Sequence, residues 1–165
     1  SLEQALDYRL VGPNLRASGI DWDLRRDEPY SVYEDLEFDV PVGVSEIGEL
    51  GDCYSRYWIR ILEMEQSVRI LRQCIEKMPE GSYWNRSKKK LKVEPGEFYV
   101  RTEAPRGELG FYLISKGGPK PHRLKIMTGS FAAMSIVEAV ASGLMVADLV
   151  ALIASLDVVA PEVDR

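Results

Sequence analysis

The C-terminal stretch, residues 130–165, is the most apolar part of this sequence, yet it carries Glu138, Asp148 and Asp157. A helix turns about 100° per residue, so Asp148 and Asp157 would lie about 180° apart on one continuous helix and could not share a solvated face. At least one of these two carboxylates is therefore expected to be buried or to line a cavity, where it needs a donor, a cation or a polar ligand. The structural alternative is that Asp148 pairs with an arginine and Asp157 caps a backbone segment.

Composition limits the class of protein. With 165 residues, 45% of them hydrophobic, the chain can build one core, and we expect a single domain over residues 1–165. A formal net charge of −5 argues against a nucleic-acid partner. Charged residues divide the C-terminal stretch into runs far shorter than the roughly 20 apolar residues of a membrane span. The sequence therefore predicts a soluble protein or one peripheral to a membrane.

The first 35 residues combine a short helical lead-in at residues 1–8 with Gly and Pro spaced too closely for a long helix or strand. We expect the rest of this segment to be an ordered loop in which Trp22 packs on another surface. Its charges alternate in sign, which is typical of a solvated surface whose ion pairs contribute under about 1 kcal/mol each. These charged residues are Arg16, Asp21, Asp23, Arg25, Arg26 and Asp27.

The middle of the chain predicts a short strand and a long helix. Residues 36–43 alternate in polarity and end at Pro41 and Gly43, which indicates a strand. Asp52 is a good N-cap for an amphipathic helix that ends near Pro79. The charged face of this helix is expected to meet water or a polar partner. Its apolar face consists of Tyr54, Tyr57, Ile61, Met64, Val68, Leu71, Ile75 and Met78.

The remaining pattern predicts a linker, a sheet and two more helices. The basic residues 83–91 are typical of a surface linker, and apolar alternation near residues 98–102, 111–114 and 124–126 indicates three antiparallel strands. We expect Ser130 to cap a helix that ends at Gly143, and a second helix over residues 145–156. The predicted fold class is α+β: mainly helical, with a long amphipathic helix, a small antiparallel sheet and two apolar C-terminal helices.

Several blocks of the sequence together resemble one known family. The blocks are GPNLRASGIDWDLR, EFDVPVG, GDCYSRY, EAPRGELGFYLIS, and ADLVALIASLDVV followed two residues later by EVDR. In this order they resemble the C-terminal part of the 49-kDa quinone-site subunit of respiratory complex I, which bacterial enzymes have as their D subunit. The family descends from the large subunit of nickel–iron hydrogenases, so the resemblance implies a hydrogenase-large-subunit-like fold.

The resemblance also implies which residues matter. Asp157 matches an aspartate that lines the family's quinone cavity, and Leu152 matches a small apolar position associated with inhibitor binding. Arg106 matches a basic residue near the interface with the subunit that carries the terminal iron–sulfur cluster. No catalytic residue, metal ligand or bound cofactor is implied for this chain, and ubiquinone is implied as the substrate. Ala160 and Pro161 stand where the family has Phe-Gly, which puts the shape of the pocket in question.

The resemblance implies partners as well. Ser1 aligns with the middle of the family's chain, so the N-terminal half, with a His and a Tyr that contact the quinone, is expected on a separate polypeptide. Other implied partners are the cluster-bearing subunit and further complex I subunits. The expected location is the matrix side of the mitochondrial inner membrane or, alternatively, the cytoplasmic side of a bacterial inner membrane. We therefore expect that the chain neither folds nor acts alone.

Three functions follow from these features. The first is a core subunit fragment of NADH:ubiquinone oxidoreductase that forms part of the quinone cavity, supporting electron transfer from the neighbouring cluster and proton translocation. The second is a structural or assembly piece of the same complex without a quinone role. The third, a hydrogenase-like enzyme, lacks the paired CxxC ligands that such an enzyme needs, because the chain has only Cys53 and Cys74.

We predict that Cys53 and Cys74 bind no metal and form no disulfide. They lie 21 positions apart on the predicted long helix, about 30 Å along its axis, whereas a disulfide needs Cα atoms within about 7 Å. Elemental analysis of the purified chain and thiol titration check this prediction. Iron or zinc in stoichiometric amount, or the loss of both free thiols, would contradict it.

Overall fold

The computed structural model describes residues 1–44, 47–84 and 92–164. It is α+β, as predicted, with three strands and several helices. In chain order the elements are α1 (Leu2–Asp7), α2 (Gly12–Ala17), α3 (Leu24–Asp27), a 3₁₀ turn (Tyr33–Asp35), α4 (Cys53–Glu76), β1 (Gly96–Ala104), β2 (Gly107–Ser115), β3 (Arg123–Met127), α5 (Gly129–Ser135), α6 (Val137–Ala141), α7 (Val146–Leu156) and α8 (Ala160–Val163). Most of the predicted linker, residues 85–91, lies outside the described residues. The hydrogenase-like arrangement and the single domain stay predictions.

The three predicted strands form one antiparallel sheet in the order β1-β2-β3. The first two strands pair over their whole length, from Gly96 opposite Ser115 to Ala104 opposite Gly107. Only Pro105 and Arg106 connect them, so the hairpin is tight. Gly107 has φ +106°, a conformation that side-chain-bearing residues rarely adopt, and this explains the glycine at the start of β2.

The long helix α4 begins where the sequence predicts. The side chain of Asp52 accepts a hydrogen bond from the Ser55 backbone N–H at 2.7 Å, which satisfies one of the unpaired donors of the first turn. Arg56 and Arg60 on its charged face donate hydrogen bonds to residues at the end of α7. This part of the charged face therefore meets a polar partner within the chain and not water. The apolar face is the exposed one: Tyr54, Tyr57, Met64, Val68, Leu71 and Ile75 are exposed, and so is Met78 just beyond the end of the helix.

The predicted strand at residues 36–43 is wrong. The backbone there is not part of a sheet, and it runs beside α4 instead. Glu37 N–H donates to Gln73 Oε1 at 2.9 Å, and Asp39 N–H donates to Gln66 Oε1 at 3.0 Å. Glutamine side chains of α4 thus supply the acceptors that a neighbouring strand would otherwise provide. The two backbone N–H groups are hydrogen-bonded without any strand pairing.

The expectation of an ordered loop after the lead-in is also wrong, because α2 and α3 form there. Pro13 lies in the first turn of α2, where its missing N–H has no helical acceptor to lose. Every residue of α2 is buried. The lead-in itself is confirmed as α1, and Trp22 is partly buried against the core, as expected.

The C-terminal helices differ from the prediction at three points. Thr128, rather than Ser130, caps the first helix by accepting from the Phe131 N–H at 3.3 Å. The predicted helix up to residue 142 is interrupted near Ile136, which separates α5 from α6. Helix α7 is confirmed, but a short α8 follows, with Pro161 in its first turn.

The core joins the two ends of the described chain. Side chains from the first 15 residues pack against side chains from α5 and from the end of α7, with Ile20 and Trp22 at the margin. The buried members of this core are Ala5, Leu10, Leu15, Ala133, Ile136 and Leu156.

None of the described helices is both long enough and apolar enough to span a bilayer.

We predict that the chain self-associates when purified alone. The apolar face of α4 and the exposed Met145, Val146 and Val150 at the start of α7 form more apolar surface than a soluble monomer usually exposes. Light scattering and binding of a hydrophobic dye measure the effect. A Leu71→Gln, Ile75→Gln double variant should reduce both signals.

Arg72→Gln provides the control, because this exposed residue lies beside Leu71 but adds no apolar area. It should leave the self-association of the chain unchanged. A monodisperse monomer that unfolds cooperatively, with no dye binding, would contradict the prediction.

Candidate functional site

The β1-β2 hairpin turn is held between two other parts of the chain. Gly12, at the start of α2, packs so closely on Gly107 that a Cβ on either residue would collide with the other's backbone. A Cβ on Gly129 would collide with the Arg106 carbonyl in the same way. The glycines therefore allow close backbone approach, and this approach fixes where the Arg106 side chain begins.

Asp157 lies where α7 ends. It is the C-cap of α7 in the left-handed conformation, with φ 54° and ψ 52°, so its side chain leaves the helical path. Its backbone carbonyl accepts a hydrogen bond from Arg106 Nε at 2.8 Å. Its carboxylate lies 3.5 Å from Arg106 Nη2 and 3.7 Å from Arg60 Nε, and the side chain is 43% exposed.

Asp157 lines a cavity, which is one of the two outcomes expected for a carboxylate in the C-terminal stretch. Asp148 is exposed on α7, and within the described residues no arginine pairs with it. The expected arginine partner of Asp148 is therefore not found among these residues. Asp157 does end a helix, as the structural alternative has it, and it also contacts two arginines.

Arg60 connects α4 to the end of α7. Its guanidinium donates to Asn14 Oδ1 at 3.0 Å and to the carbonyls of Ser155 and Leu156 at 2.8 and 3.1 Å. Burial lowers the pKa of Arg60, and the nearby Asp157 carboxylate partly opposes that effect. Arg60 Nε is buried without a hydrogen-bond partner, and Asp157 is the carboxylate it faces.

Arg16 lies at the centre of a buried ion cluster. Its side chain is 1% exposed and contacts three carboxylates: Glu63 at 2.8 Å, Glu103 at 2.9 Å and Asp23 at 3.3 Å. Arg16 Nη1 also donates to the Trp22 carbonyl at 2.9 Å. Asp23 is fully buried and binds Arg25 as well, at 2.6 Å. The prediction that Arg16 and Asp23 belong to a solvated surface is wrong, because Arg16 lies on the buried helix α2 and Asp23, the N-cap of α3, is enclosed beside it.

The charges in this cluster affect each other's protonation. Burial alone would raise the pKa of Asp23, but the hydrogen bond from Arg25 and the charge of Arg16 bring it below its usual range. Burial opposes ionisation of Arg16 too, yet Glu63 and Glu103 raise its pKa. Because the pKa of Asp23 is lowered on folding, its stabilising effect is complete above about pH 4 and is lost as the pH falls through the folded value.

Glu103 differs from Asp23. Burial raises the pKa of the Glu103 carboxyl, Arg16 opposes that shift, and the nearby Asp23 charge adds to it. For a carboxyl with a raised pKa, the destabilising effect is present above the folded pKa and is relieved as the pH falls. Of Asp23 and Glu103, Glu103 is therefore the carboxyl that binds a proton more readily.

A cavity of about 310 Å³ joins the Arg16 cluster to Asp157. It lies between α4, the end of β1 and the residue that ends α7. Its lining includes the carboxylates of Glu63, Glu103 and Asp157 and the guanidinium of Arg60. The lining residues are Arg16, Arg25, Arg60, Glu63, Met64, Ser67, Glu103, Ala104, Pro105 and Asp157.

The structure brings together two of the three residues singled out from the sequence. Arg106 contacts Asp157 directly, as well as Glu162 at 3.7 Å. Leu152 lies five residues earlier on α7, where it is buried and does not line the cavity. Arg60, Glu63 and Glu103 were missed as site residues, because their meeting depends on contacts between distant elements.

In the part of the chain that the structure describes, no three His, Cys, Asp or Glu side chains are placed to hold a metal ion. Cys53 and Cys74 are both free thiols, and both lie on α4. The site therefore consists of carboxylates and guanidiniums, whose chemistry is ion pairing and proton exchange.

The chain matches the family model of the 49-kDa subunit of respiratory-chain NADH dehydrogenase over residues 1–93 and 84–165. It therefore belongs to that family, and the resemblance of its motifs is confirmed. Among similar proteins is a D subunit of NADH-quinone oxidoreductase from Anaeromyxobacter dehalogenans (strain 2CP-C), 54% identical over 98% of this chain and 42% of the relative.

Two further relatives are also D subunits of NADH-quinone oxidoreductase. The Chlorobaculum tepidum protein is 47% identical over 98% of this chain and 41% of its own length. The Ehrlichia canis protein is 42% identical over the whole chain and 47% of its own length. The chain thus spans less than half the length of these curated relatives, and it corresponds to their C-terminal part.

We predict that the Arg16 cluster is essential for stability. Arg16→Met would leave buried carboxylates without their cation, and breaking a buried pair in this way typically costs about 3–5 kcal/mol. The free energy of unfolding, or the yield of folded chain in the assembled complex, measures the loss.

Arg26→Met is the matched control for this prediction. Arg26 lies in the same segment and also pairs with two aspartates, but it is partly exposed, so its removal should cost under about 1 kcal/mol. Equal effects of the two substitutions would contradict a special role for the buried cluster.

Proposed function

We propose that this chain forms part of the quinone-binding cavity of an NADH-quinone oxidoreductase. In this role it holds no redox cofactor. Electrons reach the quinone from an iron–sulfur cluster on a neighbouring subunit, and quinone reduction is coupled to proton translocation. Family membership supports the assignment to this complex, and the cavity beside Asp157 is the observation that carries the quinone role.

The contacts of Asp157 suit a group at a quinone site. Its partly exposed carboxylate faces Arg60 and Arg106 at 3.7 and 3.5 Å, distances longer than those of a tight bidentate pair. A polar headgroup that approaches the cavity can therefore exchange contacts with these residues without breaking an optimised salt bridge. We assign to Asp157 the role of orienting the headgroup and setting its local charge.

Leu152 is assigned a supporting role in the same site. Its side chain is buried on α7, five residues before Asp157, and it helps to fix the position of the last turn of that helix. A change of size at Leu152 would move the end of α7, and with it Asp157. This is an indirect route by which Leu152 can affect inhibitor binding without lining the cavity described above.

The proposed partners complete the cavity. Arg106 lies near the surface that meets the cluster-bearing subunit, and the apolar face of α4 meets polypeptide corresponding to the N-terminal part of the relatives. Other complex I subunits complete the assembly. We place it at the cytoplasmic side of a bacterial inner membrane, because the relatives named above are bacterial. The mitochondrial location stays a prediction.

One observation favours a second candidate, a structural or assembly role. Asp157 already has two arginine neighbours, and its carbonyl accepts from Arg106, so it could serve only to join the hairpin turn to α4 and α7. Ala160 and Pro161, where the resemblance implies Phe-Gly, lie in the first turn of α8, shortly after Asp157 in the chain. In this second role no quinone binds.

Substitution of Asp157 separates the two functions. Asp157→Asn should leave the complex assembled while changing the apparent quinone or inhibitor affinity by about tenfold, equivalent to about 1.4 kcal/mol. Asp157→Leu, which also removes hydrogen bonding, should impair quinone reduction more. Quinone-reductase activity and inhibitor titration on the assembled complex measure both effects.

Asp148→Asn is the matched control, because Asp148 lies on the same helix but is exposed and outside the cavity. It should behave as the wild type in both assays. If both Asp157 variants assemble and also behave as the wild type, the quinone role is lost and the structural role is favoured.

A further inference from the structure

We propose that Glu103 holds a proton that it exchanges with the cavity lined by Asp157. This deepens the proposed function, and it rests on that function only for the final acceptor of the proton. The holding of the proton itself follows from the charges and contacts around Arg16, and it can be tested without any quinone.

The charges around the cavity do not balance. Arg16 and Arg25 face three carboxylates, those of Asp23, Glu63 and Glu103. At the other end, Arg60 and Arg106 contact Asp157, and Arg106 also contacts Glu162. This end adds two charges of each sign, so four guanidiniums face five carboxylates. An uncompensated negative charge is unfavourable in a buried site, and binding one proton removes it.

The contacts of the three cluster carboxylates point to Glu103 as the proton carrier. Asp23 accepts three hydrogen bonds from Arg25 at 2.6–2.9 Å, which hold it ionised. Glu63 is more exposed, at 15% against 5% for Glu103, and water can stabilise its charge. Glu103 Oε1 accepts from Arg16, but Oε2 has only a long contact, 3.4 Å from the Leu24 N–H. Oε2 is therefore the oxygen that can carry the proton.

The neighbours of Glu103 keep its carboxyl in place. The charged groups around it come from every element packed against the cavity. They are Arg16 of α2, Asp23 and Arg25 at the start of α3, Arg60 and Glu63 of α4, and Asp157 at the end of α7. On its own strand the Glu103 N–H donates to Tyr30 Oη at 3.0 Å, and this hydroxyl donates to the Glu103 carbonyl at 3.4 Å. Burial raises the pKa of Glu103, which agrees with a proton held there.

The proposed step is a simple proton transfer. The O–H bond at Glu103 Oε2 breaks, Glu103 becomes a carboxylate, and a new O–H bond forms on a base in the cavity. That base is the Asp157 carboxylate or the oxygen of a reduced quinone. No electron moves in this step. The cavity of about 310 Å³ has room for several bridging water molecules, each of which takes about 30 Å³ in the liquid.

Infrared spectroscopy of the assembled complex, without added quinone, tests the proposal. The carbonyl stretch of a protonated carboxylic acid should be present at neutral pH and disappear as the pH rises. Glu103→Gln should remove this band. Glu108→Gln should leave it in place, because Glu108 is a similarly buried carboxylate on the neighbouring strand that pairs with Arg101 and Tyr99 and does not line the cavity.

A second variant covers the case in which Glu103→Gln does not assemble. Glu103→Asp keeps a titratable carboxyl but withdraws it by one methylene, so the pH midpoint of the band should shift. A band that survives in Glu103→Gln, that is lost in Glu108→Gln, or whose midpoint is unchanged in Glu103→Asp overturns the proposal.

Activity measurements separate this proposal from the quinone role. Glu103→Gln should lower kcat for quinone reduction about tenfold and flatten its pH profile, while KM for quinone stays within about twofold. If the infrared band behaves as stated and the Asp157 variants reduce quinone as the wild type does, the quinone role fails and the proton at Glu103 stands. If the band does not depend on Glu103 and the Asp157 variants are impaired, the quinone role stands and this inference fails.

Discussion

The buried guanidinium of Arg16 is the contact on which the described structure depends. It belongs to α2, yet it bonds to α4 through Glu63, to β1 through Glu103 and to the segment before α3 through Asp23 and the Trp22 carbonyl. Arginine suits this position because its planar fork donates in several fixed directions and stays charged at any ordinary pH. The nearby segment at Trp22 and Asp23 and two distant elements, α4 and β1, must therefore be in place before this charge can be buried without a large loss of stability.

The long helix α4 faces the protein with its polar side. Arg56, Arg60 and Glu63 contact other elements of the chain, while Leu71 and Ile75 face outward. This is the reverse of an ordinary surface helix, in which the apolar stripe covers the core. The arrangement fits an element inside a larger assembly, where a second layer of polypeptide covers the apolar side, and it explains why the enclosed core of this chain is small.

The elements that sequence alone predicts are those with local causes. The N-cap at Asp52, the alternation of the three strands and the end of α7 after Leu156 all depend on neighbouring residues, and the structure has each of them. The prediction of a strand at residues 36–43 was wrong because alternation in polarity does not reveal which acceptors the backbone N–H groups will meet. Here the acceptors are the side chains of Gln66 and Gln73. The cavity could be predicted only through Asp157, since the partners of Arg16 lie up to 87 positions away along the chain.

The hairpin turn between Gly12 and Gly129 leaves no slack. Backbone touches backbone on both sides of Arg106 and Gly107, and contacts of this kind do not adjust by a change of rotamer as side-chain contacts do. Any shift of α2 or α5 relative to the sheet must therefore displace the Arg106 guanidinium and, through it, the end of α7. The turn therefore couples the positions of α2 and α5 to the position of the Arg106 side chain. A partner that binds to α2 or α5 and shifts it would alter the geometry around Asp157 without contacting Asp157.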